Sequence, residues 1–128
     1  MIIDTDVLIW DLRGNEAART TIARHLPFCI SVVTYMELLQ GIRNKNELET
    51  LQRQLQRWSV SILQITPDIS SRAMFYVEAY CLSHTMQLAD ALIAACAVEH
   101  GQTLLTANVR HYRHVTELRL AEFQPGRE

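Results

Sequence analysis

Lysine is nearly missing from this chain. Of 12 basic residues all but Lys45 are arginine, and 14 acids leave a net charge of −2. The protein as a whole therefore does not present the basic surface of a general nucleic-acid binder, although arginine is the better bidentate partner for phosphate. Also missing is any apolar run approaching the roughly 20 residues that a membrane helix needs. No basic stretch precedes an apolar one at the start. A soluble, cytoplasmic protein with no membrane partner is expected. The three cysteines, Cys29, Cys81 and Cys96, are odd in number and lack C-x-x-C spacing. Each sits in an apolar segment and reads as a small buried hydrophobe in a reducing compartment. No internal repeat or low-complexity segment interrupts the chain.

What is present is ordinary globular composition. At 128 residues and 48% hydrophobic, the chain fits a single domain spanning 1–128, able to bury about two-thirds of its unfolded surface. Met1 to Ile3 reads as a short strand covered on both faces, because β-branched residues follow one another without alternation. A helix is expected over 15–26 with Ala18, Ile22 and Leu26 inward, stopped by Pro27, and then a strand over 28–31. Ser31 or Thr34 opens a helix that runs to Gln40 and is closed by Gly41. After a polar connection over 43–47, Leu48, Leu51, Leu55 and Trp58 fall on one helical stripe.

Residues 60–65 read as a third strand, and Thr66-Pro67-Asp68 is a strong helix start for a helix to about Ser83. A further helix over 87–100, a strand over 102–106, a helical or turn segment over 108–114 and a last strand over 118–123 complete the pattern. Residues 124–128 read as a flexible tail. Strands alternating with helices predict an α/β fold with a central, mostly parallel sheet of about four or five strands. The helical pair within 48–83 carries more apolar surface than so small a sheet needs, which makes it core or a dimer surface.

The chemistry is concentrated in isolated carboxylates. Asp4 ends the first strand, and in open parallel sheets that edge is where ligands bind. Asp90 is the single polar residue between Leu88 and Val98, and Glu37 is the single charge between Ser31 and Leu39. Each has an ordinary structural alternative. Thr34-x-x-Glu37 matches a capping box, Asp90 suits the first turns of a helix, and Asp6 suits a helix cap. Asp4 ends a strand and is not accounted for in that way. As a set, buried like charges without an available lysine or arginine call for a hard divalent cation held by oxygens. Mg2+ or Mn2+ so held leaves positions for a phosphate oxygen and a water, which points to metal-assisted phosphodiester hydrolysis.

Asn108 follows the strand ending at Thr106 and is placed to orient a water, or to serve as a turn residue or cap. Arg110 and Arg113 beside it are candidate phosphate contacts. His111-x-x-His114 has the spacing of two zinc ligands, but no third ligand completes a site.

The segments Ile3-Asp-Thr-Asp-Val-Leu-Ile9, Ser31-Val-Val-Thr-Tyr-Met-Glu-Leu-Leu-Gln-Gly41, Leu88-Ala-Asp-Ala-Leu-Ile-Ala-Ala95 and Leu104-Leu-Thr-Ala-Asn108 resemble, in order, the four blocks of PIN-domain proteins. Within that family they look like the VapC-type toxins of bacterial toxin–antitoxin pairs. The resemblance implies a three-layer α/β/α fold and a divalent-metal-dependent endoribonuclease acting on RNA. It further implies metal binding by Asp4, Glu37 and Asp90 with Asp6 auxiliary, a homodimer, and a small VapB-like antitoxin whose tail blocks the site. Many relatives carry aspartate where this chain has Asn108, and some a further acid where His111 stands, which bears on a second metal. Two other functions compete. A degenerate PIN domain would bind antitoxin or RNA without cutting. A haloacid-dehalogenase-like phosphatase would use Asp4-x-Asp6, but that chemistry also wants a lysine beside the phosphoryl group and a later acid pair.

Overall fold

Two isoleucines at the start of the chain divide the protein into its layers. Ile2 and Ile3 form strand β1 and are fully buried. Successive strand side chains point to opposite faces, so Ile2 enters one hydrophobic core and Ile3 the other. The computed structural model, which describes residues 1–126, places β1 at the centre of a five-stranded sheet. The order is β3-β2-β1-β4-β5, with β2 (Cys29–Ser31), β3 (Ser61–Leu63), β4 (Leu104–Thr106) and β5 (Leu120–Glu122). Every pairing is parallel.

On the Ile2 face, helices α5 (Pro67–His84) and α6 (Leu88–Glu99) pack over Leu104 through Ile69, Tyr76 and Ile93. On the Ile3 face, α1 (Thr5–Leu12), α2 (Glu16–Arg24) and α4 (Lys45–Arg57) bury Leu8, Ile22, Leu51 and Leu55 against Ile30 and Leu105. Helix α3 (Val32–Gln40) serves both cores through Val33 and Leu38. This is the expected three-layer α/β/α arrangement. The chain moves outward from β1 to β3, then returns to the other side of β1 for β4 and β5. Strand order reverses between β1 and β4, and the crevice at their carboxyl ends is where such sheets bind ligands.

Local departures from the expected elements have local causes. Ser31 caps α3, its hydroxyl accepting from the Val33 amide at 3.1 Å. Thr34 therefore lies inside the helix, and the capping box with Glu37 does not form. Helix α4 starts at Lys45 because Asn44 caps it, accepting from the Glu47 amide, while Arg43 grips the Glu47 carboxylate. The connection over 43–47 is thus largely the first turn of a helix. His25 ends α2 early, which leaves Leu26 exposed rather than inward. Of the cysteines, Cys96 is buried and Cys29 half-buried, but Cys81 is exposed. Of the tail expected over 124–128, the last two residues lie outside the described residues. Pro125 is held to the body by Asn15 Nδ2–H, which donates to its carbonyl at 3.0 Å.

Candidate active site

The site grows from the end of β1. Asp4 leaves the strand and at once becomes the N-cap of α1, its Oδ1 accepting from the Thr5 amide at 2.8 Å. Capping is thus part of what Asp4 does, and the cap is not Asp6 as the sequence allows. Asp4 Oδ2 turns the other way and meets two hydroxyls, Thr106 Oγ1 and Tyr112 Oη, each at 2.9 Å. Asp6, in the first turn of α1, takes the Ala107 amide on Oδ2 at 2.9 Å and lies 3.2 Å from Thr106 Oγ1. A threonine hydroxyl has one proton, and the shorter contact marks Asp4 as its main acceptor.

Asp90 arrives from the opposite face. Helix α5 ends at Thr85 with φ 51°, and Gln87 becomes the N-cap of α6, making no side-chain cap bond. Asp90 is therefore in the first turn of α6. Its Oδ1 lies 3.2 Å from Tyr112 Oη, and its Oδ2 lies 3.4 Å from His111 Nδ1. One buried hydroxyl thus touches both Asp4 and Asp90. Glu37 joins from α3 through Thr5, whose Oγ1 is 2.6 Å from Glu37 Oε1 and 3.0 Å from Thr34 Oγ1.

The electrostatics are those of buried, crowded acids. Burial, and then repulsion from Asp6, push the Asp4 carboxyl up to about 7. Burial also raises Asp6 and Asp90, the latter opposed in part by His111. Asp6 Oδ1 is buried and has no hydrogen-bond partner among the described residues. At neutral pH such a cluster must take up protons or a positive charge. Among the described residues, no three acidic, histidine or cysteine side chains converge closely enough to enclose an ion unaided. A closed cage is not what Mg2+ needs, since it keeps several waters and accepts one or two carboxylates. The donors here are hard carboxylate oxygens, the type that suits Mg2+ and Mn2+. With an orphaned buried oxygen among them, they fit a hard divalent cation.

Asn108 stands at the same sheet edge, exposed, with its amide N–H donating to Thr106 Oγ1 at 3.0 Å. Arg110 lines, with His84, Gln87, Asp90 and His111, an open cavity of about 440 Å³. Arg113 is exposed and is not part of that lining. His111 and His114 do not converge: His114 stacks on His84 at 4.3 Å and contacts Met86 Sδ at 3.0 Å, while His111 faces Asp90. Lys45, the one lysine, opens α4 at the surface.

Thr5, Thr106 and Tyr112 are the site residues that sequence reasoning passes over.

The sequence profile of the PIN domain matches residues 1–117. The chain is 35% identical over 130 residues to Ribonuclease VapC10 of Mycobacterium tuberculosis, covering 98% of this chain and 96% of that protein. It is 29% identical over 124 residues to Ribonuclease VapC1 of Rickettsia felis, covering 92% of each. Among solved structures, a toxin–antitoxin complex from Klebsiella pneumoniae superposes with a TM-score of 0.74 at 26% identity, covering 99% of this chain and 98% of that one. DNA-bound VapBC from Salmonella typhimurium superposes with a TM-score of 0.82 at 20% identity, over 96% and 97% of the two chains, a likeness of fold.

Proposed function

The chain belongs to the PIN-domain family, and we propose on that premise that it is a divalent-metal-dependent endoribonuclease, the toxin of a toxin–antitoxin pair. The observation that carries the reading is the meeting of Asp4 and Asp90 on one hydroxyl at the switch point of the sheet, with Asp6 beside them. Asp4, Asp90 and Glu37 would hold Mg2+ or Mn2+, with Asp6 auxiliary. When bound, such a cation supplies Lewis acidity at a phosphoryl oxygen and acidifies a water.

The chain's own residues do the rest. Thr5 holds Glu37 toward the cluster, Asn108 orients the attacking water, and Arg110, on the cavity wall beside Asp90, receives a phosphate of the RNA. Arg113 contributes to phosphate binding from further out. The cleft of about 620 Å³ between α1, α3 and α4 has apolar walls from Ile9, Leu12 and Ile42 and reaches Glu37. We assign it to the tail of a small VapB-like antitoxin, which would there obstruct the site. A second copy of the chain is expected on α5, where Met74, Phe75 and Leu82 are 60%, 58% and 99% exposed. The α4 stripe is already spent on the core through Leu51 and Leu55.

Incubation of the purified protein with RNA tests the reading. Cleavage with Mg2+ or Mn2+ is expected, stopped by EDTA and abolished by Asp4→Asn or Asp90→Asn in folded protein. Intact RNA with hydrolysis of a phosphomonoester would transfer the protein to the phosphatase class. RNA or antitoxin binding without cleavage under any metal would make it a degenerate binding domain.

A further inference from the structure

Tyr112 is fully buried, yet its hydroxyl lies between the two acids of the crevice, 2.9 Å from Asp4 Oδ2 and 3.2 Å from Asp90 Oδ1. The two acids depend on it unequally. Asp4 is fixed twice more, by the Thr5 amide and by Thr106 Oγ1. Among the described residues, the other polar contact of Asp90 is the 3.4 Å approach of the half-exposed His111. Its helix provides no side-chain cap that would lock the first turn. A phenol has one proton to give, and because Asp4 already accepts from Thr5 and Thr106, that proton is free to serve Asp90 and turn it inward, toward Asp4 rather than toward water.

The fold makes Tyr112 suited to this. The short 3-10 turn Val109–His111 delivers it into the core beneath α6, among Ile2, Ala91 and Leu104, so the ring has little freedom to swing. From that position the hydroxyl reaches β1 on one side and α6 on the other. We propose that Tyr112 is the positioning residue of the acid cluster, holding Asp90 at the separation from Asp4 that a shared divalent cation requires.

The proposal rests on the reading of the cluster as a metal site, and one experiment separates the two. Mn2+ binding is measured by electron paramagnetic resonance for the wild type, Tyr112→Phe and Asp4→Asn. Phenylalanine keeps the ring and removes only the hydroxyl. Groups that orient metal-binding carboxylates typically matter 10–100-fold in affinity. Tyr112→Phe is thus expected to weaken Mn2+ binding by about tenfold, and saturating Mn2+ is expected to restore most of its RNA cleavage.

If the wild type and Asp4→Asn differ but Tyr112→Phe binds Mn2+ like the wild type, the positioning role is wrong and the metal site stands. If the wild type binds no Mn2+, both fall. Thermal unfolding without metal gives a second readout. The loss caused by Tyr112→Phe should change when it is combined with Asp90→Asn, because the two groups interact. Equal losses in both backgrounds indicate packing alone and overturn the proposal.

Discussion

Asp4 should make the metal-free protein less stable at neutral than at mildly acidic pH. Its carboxyl is pushed from the ordinary 3.8 up to about 7 by burial and by Asp6. A raised folded value means the native state binds the proton more tightly than the unfolded chain. Its contribution is fully present below about pH 4 and is lost as pH rises through 7. The whole loss is roughly 4 kcal/mol, of which roughly 2 kcal/mol falls between about pH 5.5 and pH 8. Repulsion within the cluster and the raised Asp6 and Asp90 act in the same direction. His114, lowered by burial and by His84, acts in the opposite one, so the variant rather than the raw profile isolates Asp4.

Asparagine caps helices as well as aspartate does. Asp4→Asn, which stays neutral, should therefore gain on the wild type as pH rises, its lead in melting temperature in EDTA being larger at pH 8 than at pH 5.5 by about 5–10 °C, for ~2 kcal/mol. Millimolar Mg2+ should stabilise the wild type at pH 8 and leave the variant unmoved. Denaturant or thermal unfolding followed by circular dichroism, at both pH values with EDTA and with Mg2+, provides all four comparisons. An equal lead at both pH values in EDTA would refute the reasoning, since an uncompensated buried charge must cost something.

Three further outcomes are expected. Thr106→Val removes a donor to Asp4 and the acceptor of the Asn108 amide, and should cost about 1–3 kcal/mol in urea unfolding. Arg110→Ala should weaken binding of a non-cleavable RNA and flatten its salt dependence by about one counterion, with the melting temperature unchanged. Phe75→Glu together with Leu82→Glu should shift the sedimentation coefficient from dimer to monomer without unfolding the chain, because both side chains already face solvent.

The alternation of strands and helices was legible because the buried strands are short apolar runs and the helices carry caps and stripes. Thr66-Pro67 opens α5 as expected, its side chain accepting from the Ile69 amide. What was not legible was where a polar residue's second oxygen goes. Asp4 is cap and site residue at once, one oxygen on Thr5 and the other on Thr106 and Tyr112. Glu37 left the capping box because Ser31, three residues earlier than Thr34, caps first, which frees the glutamate for Thr5. Asp90 does lie in the first turn of its helix, as the sequence allows, because Thr85 ends the preceding helix in the left-handed region and Gln87 is the cap. Tyr112 stayed hidden because a tyrosine among His111, Arg113 and His114 reads as surface. Only the tertiary fold, joining residues 108 positions apart, shows its hydroxyl between two acids.

Anomalous diffraction from crystals grown with Mn2+ decides whether the acid cluster holds a metal. A manganese peak is expected at the carboxyl ends of β1 and β4, at coordination distance, about 2.0–2.2 Å, from carboxylate oxygens of Asp4 and Asp90, absent from crystals of Asp4→Asn. A peak held elsewhere, or unchanged in the variant, would contradict it.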